Sequence, residues 1–269
     1  MSDLSAAGLA RQANRALACL DLTSLNLDDT PERIDALCDR ALSPAPGIDV
    51  HPAAVCIYPR FVAQASARVR PSGIAVAAVA NFPLGTAPLD EVLVEVGRAL
   101  DDGANEIDVV FPFRAYLAGD HAAGAALVAA VSAVCRAHTR TAKLKVILET
   151  GVLHDAATIK AAAVIAVANG ADFLKTSTGK LEPAATPAAV AALLEVIDDA
   201  QRAGQRIGLK VAGGVRTVVE AAGYLDMADR HLHPNEAGPT NFRFGASGLL
   251  NDIVRVLGGV HEASLSSEY

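Results

Sequence analysis

The sequence has no tryptophan and few aromatic residues, and this limits how its core can be built. Aromatic side chains account for 4% of the 269 residues, whereas the hydrophobic fraction as a whole is 52%. A core of this composition depends on aliphatic packing with many close helix contacts. The length suits one large single-core α/β domain spanning 1–269, and two smaller domains are the less favoured alternative.

Motifs for metal binding and redox chemistry are also missing. None of the cysteines belongs to a CxxC pair, so we expect reduced, buried thiols at Cys19, Cys38, Cys56 and Cys135. Among the histidines, only His231 and His233 are closely spaced, and their segment resembles a loop. We interpret both as surface residues. The sequence therefore predicts neither a metal site nor a cofactor.

Two further absences concern partners and location. The formal net charge is −7, which argues against a uniformly basic face for nucleic acid. No apolar run reaches the ~20 residues that a transmembrane helix needs. The N-terminus, MSDLSAAGLARQ, lacks the basic segment and apolar core of a secretory signal. We expect a cytoplasmic protein that binds no membrane and no nucleic acid.

From residue 54 onward, apolar strand patterns alternate with helical patterns. The predicted strands are 54–58, 74–81, 106–111, 143–149, 172–178, 206–213, a poorly marked one within 228–234, and 242–247. The predicted helices between and after them are about 59–70, 89–102, 113–139, 155–169, 187–203, 217–227 and 248–258. Helices at 5–20 and 31–42 precede this alternation and place a helical cap within 1–50. The polar tail 261–269 has no feature that would fix it, so we expect it to be mobile.

Continuous apolar strands that alternate with helices are typical of a parallel sheet covered by helices. Eight such units in about 250 residues favour a (β/α)8 TIM barrel with an extra N-terminal helix. An open, doubly wound sheet is the alternative. The absence of a GxGxxG turn after the first strand disfavours it slightly.

Four predicted strands carry a charged residue inside an apolar run. These residues are Asp108, Lys145, Lys175 and Lys210. Strand side chains alternate between faces, and the helix-facing layer must be apolar, so the charges should point into the barrel. Glu149, at the end of its strand, is a further candidate. A buried ion-pair network without chemistry is the alternative, and it remains open for Lys145 and Glu149 individually. For the set it is disfavoured, because natural barrels usually fill this space with aliphatic side chains.

The residue types in this set indicate carbonyl chemistry. Lysines close together in a partly dry site suppress each other's protonation, and a lysine pKa can fall by ~3 units. A neutral lysine is a nucleophile that forms Schiff bases with carbonyl compounds. A neighbouring carboxylate can relay the protons that this reaction requires.

Three glycine-bearing turns follow late predicted strands, at 177–180, 212–216 and 244–248. Glycines allow backbone N–H groups to approach an anion closely, and a helix N-terminus adds its dipole. The last loops of a (β/α)8 barrel often bind phosphate. Lys180 and Arg216 would contribute positive charge. Any single turn could be an ordinary tight loop, but together the turns predict a phosphate site.

Several segments, in this order, resemble the deoxyribose-phosphate aldolase family. They are EIDVVFPFRAYLAGD, LKVILETG, ADFLKTSTGK, LKVAGGVRT and FRFGASGLL, preceded by LDLTSLNLDDT and CIYPRF and followed by a terminal tyrosine. The resemblance covers about residues 17–269. It implies reversible cleavage of 2-deoxy-D-ribose 5-phosphate to D-glyceraldehyde 3-phosphate and acetaldehyde in nucleoside catabolism. Dimers are common in this family, so a homodimer is a further expectation.

The resemblance also implies individual roles. Lys175 matches the Schiff-base lysine, while Asp108 and Lys210 match the residues that assist proton transfer, with Lys210 also lowering the pKa of the nucleophile. Tyr269 matches the tyrosine implicated in protonating the enamine. Cys56 matches a cysteine linked to inactivation by aldehydes. We assign Lys145 a supporting electrostatic role.

The implied phosphate site consists of residues in the late turns. They are Gly179, Lys180, Gly213, Gly214, Gly245 and Ser247, with Arg216 in the same loop as the paired glycines. The chain departs from the family at Val211, where many members have proline or serine. It also departs at Gly248, where a second hydroxyl residue often supports the phosphate; this would either weaken the phosphate contacts or shift them to backbone N–H groups.

Two other functions remain open. The chain could be another Schiff-base aldolase or a transaldolase on the same barrel, which substrate profiling would distinguish. It could instead be a sugar-phosphate-binding protein without activity, which would bind ligand but form no covalent adduct. The charged residues in the strands argue against the second alternative, because a protein without catalysis has no need of them.

Overall fold

A computed structural model of the chain describes residues 5–139, 141–232 and 236–266. Within them, eight parallel strands pair in sequence order and close into a barrel. The strands are β1 Leu20–Thr23, β2 Ala54–Ile57, β3 Ala75–Ala80, β4 Glu106–Val110, β5 Lys143–Ile147, β6 Phe173–Lys175, β7 Gly208–Ala212 and β8 Phe242–Ala246. The predicted (β/α)8 barrel is therefore confirmed.

Helices precede the first strand and follow each strand of the barrel. They are α1 Ala6–Ala18, α2 Pro31–Leu42, α3 Val62–Val69, α4 Leu89–Asp101, α5 Phe113–Leu117, α6 His121–His138, α7 Thr150–Leu153, α8 Ala156–Ala168, α9 Pro187–Arg202, α10 Val218–Asp229 and α11 Leu249–Ser266. Short 3-10 turns at Pro59–Phe61 and Arg70–Ser72 flank α3. The extra N-terminal helix is confirmed as α1, which packs against α10 and α11.

Local sequence explains where the helices begin. The Thr30 side chain accepts a hydrogen bond from the backbone N–H of Arg33. Pro31 occupies the first turn of α2, where the N–H that proline lacks would have no partner within the helix. At α10, Thr217 and Glu220 form a reciprocal capping box. These caps fix the points at which the chain leaves each strand loop and turns back along the barrel.

One predicted strand was wrong. The described part of 228–234 holds the end of α10 and turn residues, while the missing strand is β1, Leu20–Thr23. β1 has four residues, one of them charged, and so gives too short an apolar run to be recognised. It pairs with β2 on one side and β8 on the other, with Leu20 opposite Phe244, and thereby closes the barrel.

Other differences concern helix ends. The helix predicted over 113–139 is two helices, because Asp120 caps a new helix by accepting from the N–H of Ala123. α11 continues to Ser266, past the predicted end at 258 and into the predicted tail. Residues 267–269 lie outside the described part of the chain.

The strands have two faces with different contents. Their helix-facing side chains, such as Val55, Ile107 and Leu209, are buried in the main apolar core. Inside the barrel, β2 and β3 contribute a small separate cluster, which we call the apolar sector: Ala54, Cys56, Ala77 and Val79, covered by Leu25. The rest of the interior holds the aromatic ring of Phe173, level with Lys145, and the charged side chains described below.

All four cysteines are free and buried, as predicted. In the described residues, no helix combines the length and apolar composition that crossing a membrane requires.

Candidate active site

Seven charged side chains fill the barrel interior contributed by β1 and β4–β8. We call this set the ionic sector, and each of its residues is at most 7% exposed: Asp21, Glu106, Asp108, Lys145, Lys175, Lys210 and Arg243. Strand register explains their proximity, because partners at one level of a parallel sheet face the same side. Asp108 is level with Lys145, and Lys210 is level with both Lys175 and Arg243.

Asp108 lies at the centre of the ionic sector. Its Oδ2 accepts hydrogen bonds from Lys175 Nζ at 2.7 Å and Lys210 Nζ at 2.8 Å. Its Oδ1 accepts from Lys145 Nζ at 2.7 Å. Burial alone would raise the pKa of Asp108, but the three lysines hold that pKa well below its usual range. Asp108 is therefore a carboxylate.

Lys145 and Lys210 each have additional carboxylate partners. Lys145 Nζ lies 2.5 Å from Glu106 Oε2 and 3.5 Å from Asp21 Oδ2, and Lys210 Nζ lies 2.5 Å from Asp21 Oδ2. Burial acts to lower the pKa of both lysines, but the carboxylates outweigh it and raise both pKa values. The expectation that neighbouring lysines suppress each other's protonation is thus wrong for these two, which are ammonium ions.

Lys175 has a different environment. Within the described residues its one ion-pair partner is Asp108, which it shares with two other lysines. Burial lowers the pKa of Lys175, the charge of Lys210 lowers it further, and Asp108 opposes this only in part. Of the three lysines, Lys175 is therefore the one that most readily becomes a neutral amine and hence a nucleophile.

Cys56 borders this cluster from the apolar sector. Its Sγ lies 3.9 Å from Asp108 Oδ2. Burial raises the pKa of the thiol, which keeps it neutral. Its position beside Asp108 places a thiol close to any carbonyl compound that reaches Lys175.

The other end of the ionic sector is organised by Arg243. Its Nη1 donates to Asp21 Oδ1 at 2.6 Å and to Glu106 Oε2 at 3.1 Å, and its Nη2 donates to Glu106 Oε1 at 2.7 Å. Nε donates to the carbonyl oxygen of Pro239 at 2.6 Å. Arg243 thus joins two carboxylates that in turn contact Lys145 and Lys210.

Asp21, Glu106 and Arg243 were not predicted as site residues. For two of them a signal was present, since Glu106 and Arg243 are charges at the edge of or inside the apolar runs EIDVVF and FRFGAS. Asp21 had no such signal, because the strand that carries it was not recognised.

The turns after β6 and β7 meet at the edge of the barrel. Gly179, Gly213 and Gly214 have φ values of +75°, +84° and +85°, which favour glycine. A Cβ on Gly213 would lie 3.2 Å from the Cα of Gly179, so the two turns are in close contact. Lys180 follows directly and is exposed.

Glu149 supports the first of these turns. It is buried, has a left-handed φ of 56°, and accepts from the backbone N–H and the hydroxyl of Thr178. Burial raises the pKa of Glu149. The Thr178 hydroxyl in turn accepts from the N–H of Lys180 at 3.1 Å.

The remaining candidates for the phosphate site are placed differently. A Cβ on Gly245 would lie 2.9 Å from Lys210 Cε, so this glycine makes room for the lysine. Arg216 and Ser247 are exposed, and the N–H of Arg216 donates to Glu220 in the cap of α10. Tyr269 and His233 lie outside the described residues, and His231 pairs with Asp198.

The described part of the chain contains no group of three or more His, Cys, Asp or Glu side chains arranged to hold a metal ion. The carboxylates of the ionic sector are already paired with ammonium and guanidinium groups. Among these pairs, the buried amine of Lys175 lies 2.7 Å from the Asp108 carboxylate.

The chain is similar to known aldolases along most of its length. A family model described as DeoC/LacD family aldolase matches residues 15–253. A deoxyribose-phosphate aldolase of Agrobacterium fabrum is 46% identical over 254 residues, which are 94% of each chain. Solved structures are similar as well. The tetrameric deoxyribose phosphate aldolase of Aeropyrum pernix is 26% identical, with a TM-score of 0.70 over 96% of this chain and 98% of that one. A Toxoplasma gondii protein provisionally assigned as a deoxyribose-phosphate aldolase is also 26% identical, with a TM-score of 0.81 over 96% and 98%.

Proposed function

Because the chain belongs to the DeoC/LacD family of aldolases, we propose that it reversibly cleaves 2-deoxy-D-ribose 5-phosphate to D-glyceraldehyde 3-phosphate and acetaldehyde. The relative from Agrobacterium fabrum carries the name of this activity and matches over 94% of the chain. One structural observation supports the mechanism most strongly. Lys175 is a buried amine with a lowered pKa, in contact with a carboxylate that two charged lysines keep ionised.

The reaction begins with formation of a Schiff base. Neutral Lys175 attacks C1 of the open-chain aldehyde, forming a C–N bond and a carbinolamine. The proton released by the attacking amine passes to the Asp108 carboxylate, and Lys210 or a water molecule gives a proton to the C1 oxygen, which becomes a hydroxyl. Asp108 then returns its proton to this hydroxyl. Water then leaves, and the iminium ion on Lys175 remains. Lys145 acts electrostatically, by holding Asp108 in place from its other oxygen.

Cleavage uses the iminium ion as an electron sink. A base, Asp108 acting directly or through water, takes the proton of the C3 hydroxyl. The C2–C3 bond then breaks, and its electron pair forms the C1–C2 double bond while the iminium electrons move to the nitrogen. D-glyceraldehyde 3-phosphate leaves, and an enamine remains on Lys175. We assign protonation of the enamine at C2 to Tyr269 or to a water molecule that it positions. Hydrolysis releases acetaldehyde and regenerates the amine.

Trapping of the iminium ion tests this assignment. Borohydride should reduce the acetaldehyde adduct to a stable secondary amine, and peptide mass mapping should locate it on Lys175. An adduct on Lys210, or no adduct, would contradict the proposal. Deletion of Tyr269 is the matching test of the later step, because the adduct should persist while turnover is lost.

Substrate profiling distinguishes this activity from that of other Schiff-base aldolases and transaldolases. The proposed enzyme should use acetaldehyde efficiently as the donor for addition to D-glyceraldehyde 3-phosphate. Efficient use of a ketone donor, with poor use of acetaldehyde, would assign the chain to a different aldolase.

We further propose that the phosphate group binds at the late turns. The candidates are Gly179, Lys180, Gly213, Gly214, Gly245, Ser247 and Arg216. Contact between the turns after β6 and β7 and the exposed cation at Lys180 support this proposal. The variant Lys180→Met should raise KM for 2-deoxy-D-ribose 5-phosphate about tenfold, the loss of one charge-assisted contact, with little effect on unphosphorylated 2-deoxy-D-ribose. Equal losses with both sugars would contradict a phosphate role, and Lys160→Met on the outer surface is the matched control.

For assembly and location we propose a homodimer in the cytoplasm. The relative from Aeropyrum pernix is described as a tetramer, which supports self-association. Sedimentation equilibrium of the purified chain gives the mass of the assembly, and a monomer at micromolar concentration would contradict a dimer.

A further inference from the structure

The charges of the ionic sector sum to zero only when one of its basic groups is neutral. The sector contains three carboxylates, on Asp21, Glu106 and Asp108, and four basic groups, on Lys145, Lys175, Lys210 and Arg243. With every group ionised the sum is +1, and with one neutral lysine it is zero. An uncompensated charge is costly in a dry interior, so the balance favours one neutral lysine.

The number of ion pairs decides which lysine is neutral. Arginine does not deprotonate in proteins, so the choice lies among the lysines. Lys145 has three carboxylates within 3.5 Å, Lys210 has two, and Lys175 has one. Protonation is therefore least supported at Lys175.

We propose that Arg243 and Glu106, at the end of the ionic sector away from Lys175, are positioning residues that set the protonation of Lys175 through this charge balance. The inference rests on the proposed function, because the protonation state matters only if Lys175 is the nucleophile. Within the described residues, neither of the two pairs directly with Lys175.

Two chains of direct contacts connect Arg243 with Lys175. One passes through Asp21 and Lys210 to Asp108, and the other passes through Glu106 and Lys145 to Asp108. The linking residues are at most 4% exposed. Charges in such an interior are weakly screened by water and salt, so a change at one end acts on the other.

Among the described residues, two other titratable groups face this region. The Cys56 thiol, on β2, is kept neutral because burial raises its pKa. Glu149, after β5, is hydrogen-bonded to Thr178 and makes no ion pair with Lys175 in the described part of the chain. Within the described residues, neither group forms a hydrogen bond or an ion pair with Glu106 or Arg243, so a comparison of variants at these two positions tests the charge balance.

The expected signs are opposite for the two residues. Removing the cation with Arg243→Gln leaves the sector at −1 when Lys175 is neutral, so protonation of Lys175 becomes favourable. Asp21 and Glu106 each keep a lysine partner in this variant. Adduct formation should then require a pH higher by about one unit. Glu106→Gln leaves an excess positive charge and should move the profile to lower pH by a similar amount.

The double variant separates charge balance from structural damage. Arg243→Gln combined with Glu106→Gln removes one charge of each sign and should return the pH profile to that of the unsubstituted protein. Arg243→Lys keeps the charge and should also leave the profile near its original position. Arg136→Gln is the matched control, since Arg136 is a half-exposed arginine paired with Asp172 outside the sector.

The experiment measures the rate of borohydride-trapped adduct formation with acetaldehyde across a pH series for the full-length chain and these variants. Opposite shifts in the single variants with restoration in the double variant support the inference. Unchanged profiles, shifts in the same direction, or a double variant without restoration overturn it. If Arg243→Gln does not fold, the Glu106→Gln profile decides: a shift to lower pH supports the inference, and any other result overturns it. If the unsubstituted protein forms no adduct on Lys175, the proposed function fails instead.

Discussion

The two sectors of the barrel interior are filled by different kinds of side chain. The apolar sector on β2 and β3 is filled by small side chains such as Ala54, Ala77 and Val79, none of which needs a specific partner. The ionic sector is filled by long charged side chains, and each has a direct counter-ion. The difference shows that the fold tolerates buried charge when the charges form one connected set. Within that set, Lys175 has a single carboxylate partner, which it shares with two other lysines, and this makes it the reactive group.

The largest expected effect comes from removing that reactive group. Lys175→Met should lower turnover at least about 10⁴-fold, because Lys145 and Lys210, the other lysines of the ionic sector, have raised pKa values. Its stability should be unchanged or higher, since an incompletely paired buried amine is replaced by an apolar side chain of similar length. Steady-state kinetics and urea unfolding measure both effects. Substantial residual turnover would show that Lys145 or Lys210 can replace Lys175.

Removing the centre of the ionic sector should damage both activity and stability. Asp108→Asn leaves three lysines around a neutral amide, so turnover should fall about 10²–10⁴-fold. The free energy of unfolding should fall by about 3–5 kcal/mol, the typical result of removing one partner from a buried ion pair. Chemical denaturation checks the second value, and an unchanged midpoint would mean that the lysines find other partners.

Lowering the pH should reduce the stability contributed by the ionic sector before it affects the apolar sector. The lysines hold the pKa of Asp108 well below its usual range, and Lys210 and Arg243 lower that of Asp21, although burial opposes both shifts. The unfolded chain therefore binds more protons below about pH 4, the unfolded pKa of aspartate. Stability from these pairs is present above that pH and is lost as the pH falls towards the folded pKa values.

Urea unfolding at a series of pH values measures this loss. Asp108→Asn should show a shallower decline in stability with acid than the unsubstituted protein. A decline of equal slope in both proteins would place the acid-sensitive groups elsewhere.

The smallest effect is expected in the apolar sector. Val79→Ala should lower the free energy of unfolding by about 1–3 kcal/mol, the cost of the lost methyl groups and of the cavity. It should leave the pH profile of adduct formation unchanged, because no charge moves. A shifted profile would show that the two sectors are coupled through packing, and would weaken the distinction between them.

The sequence was sufficient to predict the barrel and the centre of the site, for a definite physical reason. Asp108, Lys145, Lys175 and Lys210 interrupt long apolar strands, and a charge in such a run can point only into the barrel. The same rule, applied to β8, would have identified Arg243. The direction of each lysine pKa shift could not be predicted from the sequence. It depends on how many carboxylates surround each lysine, and only the structure shows those contacts.

The error at β1 has a related cause. A strand of four residues with a central aspartate is held by its neighbours on both sides rather than by its own apolar pattern. Asp21 was therefore missed together with its strand. The glycine turns were recognised from composition, but the reason for Gly245, which makes room for Lys210, required coordinates.

The contact between Asp21 and Arg243 joins residues that are 222 positions apart in the chain. A nascent chain on the ribosome carries Asp21 on β1 long before the segment that holds its arginine partner has been made. Contacts at such separation form late, because a large loop must close before they can contribute. Closure of the barrel by β1 and β8 and completion of the ionic network therefore belong to the same late step of folding, so a chain that stops before residue 242 has neither.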